Sequence, residues 1–585
     1  MYDILKTINS PADVKKLNAE QLKTLAADIR EALFNRLTKI GGHFGPNFGI
    51  VEASIAMHYV FNSPKDKFVF DVSHQSYPHK MLTGRKNGYI DDACFNEDSG
   101  YTNPEESEHD LFNIGHTSTS ISLASGLVKA RDLKGEKYNV IALIGDGSLT
   151  GGEALEALDF AGSEIKSNFI IIVNDNQQAI AECHGGICEH LNELRATKGK
   201  AQNNIFKAFG LDYIYEENGN DIEAMIKVLQ KIKDVDHPIV LHINTQKGKG
   251  YKLAEENRED WHWCMPFDRE TGKWNINFPA ESYTSLTADY MTQKAKADKD
   301  FVVITPAMPM AAGLTPDLRA QLGTQYEDVG IAEEHAVAFA SGIAKGGAKP
   351  LVVTNSTFIQ RTYDQVSQDV CINNNPVTIL LNYASFDGLT DVTHLGIFTI
   401  AAFANIPNLV VLAPTSREEY LNMLDWSVEQ KEHPVMILMP GNAVTSREAD
   451  KNFDAINTFK IEQNGEKVAI LALGDFYQRG EELAEQIEGK LGFKPTLINP
   501  RFASGLDEKM LEDLKKNHQL VITLEDGILD GGFGQKVAAF YGASAMKVKN
   551  YGLEKEFYDR YNPQELLQQL GMLPEQIIED IKNIL

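Results

Sequence analysis

Short apolar runs rich in β-branched residues recur along this chain between longer amphipathic stretches, and that alternation restricts the fold more than any other feature. The runs are Val140–Ile144, Phe169–Val173, Ile239–Ile243, Val302–Thr305, Leu351–Thr354, Val377–Leu381, Leu409–Leu412, Val435–Met439, Val468–Leu473 and Leu520–Leu524. A strand that is apolar at every position is buried on both faces, and the helical stretches between such strands supply the cover. An α/β chain with mainly parallel sheets is expected. Two stretches lose apolar periodicity and gather charged residues, Gly, Pro and Asn: Glu255 to about Lys299, and Gly441 to about Lys467. They divide the chain into three expected α/β domains, 1–285, 286–450 and 451–585, as suits 585 residues, more than one hydrophobic core supports.

Charge narrows the ligands. A formal net charge of −26 opposes a nucleic-acid backbone, so no nucleic-acid partner is expected, and an anionic ligand must be held by a metal ion, backbone NH groups and a few placed side chains. No apolar run is long enough to cross a bilayer, and the N-terminus lacks a basic stretch followed by an apolar one, so neither membrane insertion nor export is expected. The five cysteines, Cys94, Cys183, Cys188, Cys264 and Cys371, are odd in number and scattered. They argue against a disulfide framework and for a reducing, cytoplasmic compartment.

In Val140-Ile-Ala-Leu-Ile-Gly145-Asp146-Gly147-Ser-Leu-Thr-Gly-Gly152 a buried strand ends in a glycine-rich turn, and a helix begins near Glu153. Backbone NH groups at the carboxyl edge of a parallel sheet face phosphate oxygens. Alone, the turn is equally well explained by Asp146 capping it. A second buried run, Phe169–Val173, leads into Asn174-Asp175-Asn176. Asp146 and Asn176 then end neighbouring strands as two oxygen ligands for one Mg²⁺, with diphosphate oxygens, a backbone carbonyl and water completing an octahedron. Gln178 is the third metal-site candidate. This Gly-Asp-Gly…Asn pairing resembles the signature of thiamine-diphosphate enzymes.

A second motif, Asp328-Val-Gly-Ile-Ala-Glu333-Glu-His-Ala-Val-Ala-Phe-Ala-Ser-Gly-Ile-Ala344, is a turn entering an Ala-rich helix. A carboxyl at a buried helix start has a raised pKa unless something hydrogen-bonds it, and can share a proton with a neighbouring heterocycle. Thiamine chemistry needs that arrangement, because a carboxyl against the aminopyrimidine ring favours the imino form that removes the C2 proton. Glu333 is the candidate. The competing role is that of an ordinary first-turn Glu favouring the helix dipole.

Six segments carry a closer resemblance: Gly41-Gly-His43-Phe-Gly-Pro-Asn47, Asp71-Val-Ser-His74-Gln-Ser-Tyr77-Pro-His79-Lys80, Gly115-His116-Thr-Ser-Thr-Ser120, Gly145 to Gly152, Ile331-Ala-Glu333-Glu-His335, and Ser356-Thr-Phe-Ile-Gln-Arg361-Thr-Tyr-Asp-Gln365. They are similar to segments of the 1-deoxy-D-xylulose-5-phosphate synthase family, and the likeness covers nearly the whole chain; transketolase shares only the outline. The resemblance implies a transketolase-like fold with diphosphate and metal on the first domain, Glu333 and the aminopyrimidine site on the second, and a transketolase-type C-terminal domain. It implies thiamine diphosphate and Mg²⁺ as cofactors, a homodimer, and condensation of pyruvate with glyceraldehyde 3-phosphate with loss of carbon dioxide. By motif it assigns catalysis to Glu333, His43, His74, His262 and His394. Cofactor contacts fall to His74, His116, Ser118, Gly145, Asp146, Gly147, Asn176, Glu333, Phe358 and Arg361. Taken singly, a histidine is more often a structural group than an acid or base.

The chain also departs from that family. Two arginines that grip the acceptor phosphate there correspond to Tyr383 and Leu438 here, a family Tyr to Asn355, and a family Asp to Thr390, with Asp391 one place later. Neither Tyr nor Leu reproduces a bidentate arginine contact. A synthase using pyruvate and a transketolase-like or acyloin-forming enzyme with another donor or acceptor both stay open. A cofactor-free binding paralogue is disfavoured by Asp146, Asn176 and Glu333. Between Asn176 and Phe206 much of the family's long insertion is missing, and Cys183-His184-Gly-Gly-Ile-Cys188-Glu-His190 stands there instead. It is either a zinc site or a loop that holds two thiols, and its spacing matches no zinc-finger pattern.

Overall fold

Every run that is apolar at successive positions becomes a strand of a sheet, and all but Val410–Leu412 lie in a sheet interior. The structure is a computed structural model that describes residues 2–277 and 279–585, apart from the side chain of Ala311. The chain forms two compact units: a first that runs to position 278 and includes Gly330–Ala332, and a second made of the rest.

The first unit holds a five-stranded parallel sheet in the order Lys67–Phe70, Val140–Gly145, Phe169–Asp175, Pro238–Asn244, Asp212–Glu216. Alternate residues of its central strands serve opposite cores: Val140, Ala142 and Ile144 face one layer, Ile141 and Leu143 the other. Register sets Gly145 beside Asn174 and Asp175 beside Asn244, so the carboxyl ends of the three central strands lie together.

The second unit holds two sheets. One is six-stranded and wholly parallel, ordered Val410–Leu412, Val435–Leu438, Thr378–Asn382, Lys349–Asn355, Phe301–Thr305, Tyr326–Asp328. The other is five-stranded, ordered Lys460–Gln463, Thr496–Asn499, Lys467–Ala472, His518–Ile528, Lys547–Leu553, and only its first pair is antiparallel. Helix Glu333–Lys345 covers the six-stranded sheet with Ala336, Val337, Ala340 and Ala344. Small side chains at this three-to-four spacing let the helix approach the strands closely.

Two expectations need correction. The stretch from Glu255 to about Lys299 is not simply a linker, because Trp263–Cys264 pairs with Gly42–His43 and Tyr283–Ala297 is a helix. That helix buries Tyr283, Leu286, Met291 and Ala295, a narrow stripe in a polar sequence, behind a Ser282/Ser285 capping box. The strands Lys67–Phe70, Asp212–Glu216, Tyr326–Asp328, Lys460–Gln463, Thr496–Asn499 and Lys547–Leu553 also carry no long apolar run.

Within the first unit a buried polar chain ties the segment 79–110 together. His58 Nε2 lies 2.9 Å from His79 Nδ1, and His79 Nε2 lies 2.9 Å from Asp110 Oδ1. Arg85 donates to both Asp110 oxygens, at 2.7 and 2.8 Å, and Lys80 pairs with Glu106. Although burial pushes the Asp110 carboxyl up, Arg85 and His79 outweigh it and hold the group well below the usual carboxylate range. Its stabilisation is therefore complete above the ordinary carboxylate pKa and is lost as pH falls through the folded value. Asp110→Asn leaves two buried cations, Arg85 and Lys80, sharing the single Glu106 carboxylate and should destabilise the first unit by about 3–5 kcal/mol. Denaturant unfolding of the variant checks this, and a loss below about 1 kcal/mol would remove the network from the account of stability.

Candidate active site

The Val140–Gly145 strand delivers Asp146 into a turn where its carboxylate, 2% exposed, is gripped by backbone. Oδ1 accepts from Gly147 N at 2.9 Å, and Oδ2 accepts from Asn176 N and Gln178 N at 3.1 Å each. The Asn176 side-chain oxygen also accepts from Gln178 N, at 3.1 Å. Asp146, Asn176 and Gln178 are thus one hydrogen-bonded group. Burial, then the neighbouring Asp175, push the Asp146 carboxyl up to about 8. Asp175 goes the other way: burial raises it, but His242 Nε2 at 2.8 Å and Arg195 prevail and keep it lowered.

Ser118 sits on the far side of the turn with φ of 75°. Its amide donates to Asp71 Oδ1 and its hydroxyl to Ser148 O, each at 2.8 Å. It buttresses the turn by those bonds. His116 is half-buried two residues earlier.

Lys247 was not foreseen. It lies 1% exposed past the carboxyl end of the Pro238–Asn244 strand, and its ammonium donates to the carbonyl oxygens of Ala179 and Ile180 at 2.9 and 3.2 Å. Burial pushes it down to about 7. Its signal in the sequence was a lysine in the glycine-rich segment Gln246-Lys-Gly-Lys-Gly250 directly after an apolar run, the pattern that flagged Asp146.

Three of the predicted histidines meet in this unit. Ring centroids are 5.1 Å apart for His43 and His74, 5.6 Å for His43 and His262, and 5.4 Å for His74 and His262. The antiparallel pairing of Gly42–His43 with Trp263–Cys264 brings the first and last together, and Gly41 permits it: φ is 75°, and a Cβ there would sit 2.5 Å from Cys264 O. His74 follows Val72 and Ser73, at φ of 56° and 61°. A β-branched residue in the left-handed region is a strained conformation that the surroundings must impose. Burial, then Lys247, His74 and His43, hold the His262 imidazole well below its usual range, so it is neutral at pH 7.

Asn47, quoted in a motif but given no role, ties the first two histidines. Its Nδ2 donates to His43 O at 2.8 Å and to His74 O at 2.7 Å, and its Oδ1 accepts from Tyr77 N at 2.9 Å.

The second unit carries the other predicted residues. Glu333 opens its helix at 4% exposure, with Oε2 3.5 Å from Arg361 Nη1. Burial pushes its carboxyl up to about 7, against the pull of Arg361. Phe358 and Arg361 share the short turn Phe358–Thr362, and the Phe358 ring meets His394 edge-on at 5.6 Å. Thr393 Oγ1 lies 2.8 Å from His394 Nδ1. Tyr383, 41% exposed as a residue, follows the Thr378–Asn382 strand at φ of 55°, and Leu438 ends the neighbouring strand. Leu438 shares a small cavity with Met439, Asp475 and Asp526.

The cysteine expectation is corrected here. Cys183 and Cys188 are joined by a disulfide, with Cα atoms 5.8 Å apart, while Cys94, Cys264 and Cys371 are free. One local bond is not a framework, but the two thiols lie within bonding reach because a turn brings them together. The zinc alternative loses its sulfur ligands. His190 accepts from Ile205 N and lies 3.3 Å from Glu193, and among the described residues no group of three His, Cys, Asp or Glu could hold a metal.

Asn47→Leu, which fills the space but removes three hydrogen bonds, should destabilise the first unit by about 2 kcal/mol or more and shift the imidazole NMR resonances of His43 and His74. Unchanged resonances would mean that other contacts orient those rings.

Among the described residues no helix is long and apolar enough to cross a membrane. Residues 5–202 and 197–245 match the family model of 1-deoxy-D-xylulose-5-phosphate synthase, 281–446 the pyrimidine binding domain of transketolase, and 457–577 the transketolase C-terminal domain. Curated relatives named 1-deoxy-D-xylulose-5-phosphate synthase match over the full chain. That of Caldanaerobacter subterraneus subsp. tengcongensis is 36% identical, covering 99% of this chain and 98% of its own. That of Lachnoclostridium phytofermentans is 37% identical, covering 99% of both. That of Clostridium beijerinckii is 38% identical, covering 96% of both. With a transketolase-like α/β fold and full-length relatives of one name, the chain belongs to the thiamine-diphosphate-dependent 1-deoxy-D-xylulose-5-phosphate synthase family.

Proposed function

We propose that this chain is a cytoplasmic, homodimeric enzyme that uses thiamine diphosphate and Mg²⁺ to decarboxylate pyruvate and transfer the two-carbon unit to an aldehyde. The observation that carries this reading is a pair of buried groups at the carboxyl edge of one sheet, a carboxyl held by backbone amides and an ammonium held by backbone carbonyls, each displaced toward its neutral form. Asp146 is a carboxyl pushed up to about 8, as befits an acid without a cation. Lys247 is an ammonium whose hydrogen bonds go to two carbonyl oxygens, pushed down to about 7. A metal–diphosphate pair answers both needs. On this reading Asp146, Asn176 and Gln178 hold the metal, Gly145, Gly147, His116 and Ser118 form and support the diphosphate turn, and domains 1–285, 286–450 and 451–585 divide the work.

When bound, the cofactor supplies a nucleophilic carbon and an electron sink for the charge left by decarboxylation. The chain supplies proton transfer and a dry, ordered site. Glu333, near 7, can hold or release a proton at a ring nitrogen, and Arg361 limits how far its pKa rises. The neutral His262 is suited to accept a proton, and His43, His74 and His394 complete the acid–base set.

Glu333→Gln should retain the cofactor within about tenfold of the parent while losing roughly two orders of magnitude or more in turnover, the scale of a missing acid–base group. A step that needs the protonated carboxyl should slow as pH rises through about 7 in the parent, and that inflection should vanish in the variant. Near-normal turnover in Glu333→Gln would remove the residue from the mechanism.

A specific observation favours a non-phosphorylated acceptor. Leu438 shares its cavity with the carboxyls of Asp475 and Asp526, and no cationic side chain lines it. Two missing arginine contacts amount to about 3–6 kcal/mol, or some two to four orders of magnitude in affinity. Carbon dioxide release from pyruvate, measured with glyceraldehyde and with glyceraldehyde 3-phosphate, tests both levels. Release stimulated more by glyceraldehyde is expected, and Tyr383→Arg with Leu438→Arg should reverse the preference. A parent enzyme that strongly prefers the phosphorylated aldehyde refutes the acceptor reading, and absence of release with any aldehyde refutes the donor.

A further inference from the structure

The loop after Asn176 is short, bonded to itself and seated on the diphosphate turn. Gln178 and Glu182 pair in an antiparallel bridge, and Cys183 N donates to Gln177 O at 3.3 Å, so residues 177–183 form a tight hairpin. Its first arm supplies the Gln178 amide to Asp146, and its tip supplies the Ala179 and Ile180 carbonyls to Lys247. The tip also rests on the turn itself: a Cβ on Gly147 would lie 2.9 Å from Ala179 Cα. Beyond Gly185, at φ of 89°, helix Gly186–Ala196 begins. Cys188 is in its first turn, and Arg195 near its end pairs with Asp175 beside Asp146. A cavity of about 240 Å³ lies between hairpin and helix, lined by Asp146, Gln178, Glu182, Cys183, Cys188 and Arg195.

We infer that Cys183 and Cys188 are a reversible thiol–disulfide pair whose bond clamps this hairpin to the helix and slows exchange of metal and cofactor at Asp146. The bond joins the two walls of the cavity that reaches the Asp146 carboxylate. Without it, the link between hairpin and helix is His184, Gly185 and Gly186, all exposed, and two glycines bend freely. Cys183 is half-buried beside those exposed residues and Cys188 is buried, so Cys183 is the side from which a small thiol approaches. Of the free cysteines, Cys264 and Cys371 are pushed by burial up to about 12, and Cys94 is raised by burial and Glu97 and has no second cysteine beside it in sequence.

The chemistry balances with a small thiol–disulfide couple. A reductant thiolate attacks Cys183 Sγ, Cys188 leaves as a thiolate and takes up a proton, and a second reductant thiol resolves the mixed disulfide. Two reductant thiols become one disulfide while the protein gains two electrons and two protons. A small disulfide such as oxidised glutathione drives the reverse.

The inference rests on the proposed role of Asp146 in holding the metal, and the experiment separates the two. The full chain is treated with oxidised glutathione or with dithiothreitol, and free thiols are counted after denaturation. Of five cysteines two are bonded, so 5 − 2 = 3 thiols are expected in the oxidised form and five in the reduced. Each form is loaded with Mg²⁺ and thiamine diphosphate, mixed with excess chelator, and release is followed by tryptophan fluorescence. Release should be about tenfold or more faster from the reduced form, on the scale of freeing a short closed loop. Cys188→Ser should release at the fast rate in both conditions. Equal rates in the two redox states, a redox effect that persists in Cys188→Ser, or five free thiols after oxidation would each overturn the inference. If neither form binds the cofactor, the functional reading fails by itself. Hydrogen exchange at the Gln178 and Cys183 amides then decides the clamp, faster exchange on reduction supporting it and equal exchange overturning it.

Discussion

The register between the Val140–Gly145 and Phe169–Asp175 strands is the constraint on which the first unit's chemistry depends. With Gly145 opposite Asn174, Asp146 leaves the sheet one residue before the neighbouring strand ends at Asp175, and the amides of Asn176 and Gln178 converge on Asp146. A slip of one residue would turn alternate side chains to the wrong layer, exchanging the two sets that serve opposite cores. The same hydrophobic burial that forbids a slip therefore sets the geometry of a polar site several ångströms beyond the last apolar residue.

Buried charge in this chain is of two kinds. Around Asp110 the carboxylates have cationic partners: Arg85 and Lys80 hold Asp110 and Glu106 below their usual range, although burial still lowers Lys80. At Asp146, Glu333 and Lys247 the matching is incomplete, and each group is displaced toward its neutral form, to about 8, 7 and 7. Burial is common to both kinds, so the difference lies in whether the fold itself provides the partner. Groups that the fold leaves unmatched are the ones a ligand can complete.

Positive φ at non-glycine residues occurs throughout the described chain, and some of it falls in these regions. Val72, Ser73 and Ser118 in the first unit and Tyr383 in the second hold positive φ without being glycine. At Tyr383 the backbone is pinned from both sides, because Ser356 Oγ donates to its carbonyl at 2.8 Å and Gly396 is packed so close to that oxygen that a Cβ would lie 2.0 Å from it. The Tyr383 side chain is thus presented by a constrained backbone, a use of strain that favours fixed orientation.

Much of this was legible in the residues. Central strands are buried on both faces and therefore read as unbroken apolar runs, and the turns that follow them carry Asp146, Asn176 and, less visibly, Lys247. Two partly exposed edge strands were not legible: Asp-Tyr-Ile-Tyr-Glu at 212–216 and Lys-Ile-Glu-Gln at 460–463 carry no unbroken apolar run, whereas the buried edge strand Val410–Leu412 does. Nor was the company each side chain keeps. Asn47 spans two histidines far apart in sequence, Asp175 is claimed by His242 and Arg195, and two cysteines that looked scattered are bonded. By itself the sequence determined the α/β class, the strands with unbroken apolar runs and the residue types in the turns that follow them, because those follow from local periodicity and turn chemistry. The tertiary structure alone decided which buried groups find partners and which stay unmatched, because pairing and desolvation depend on distances between residues that no local pattern encodes.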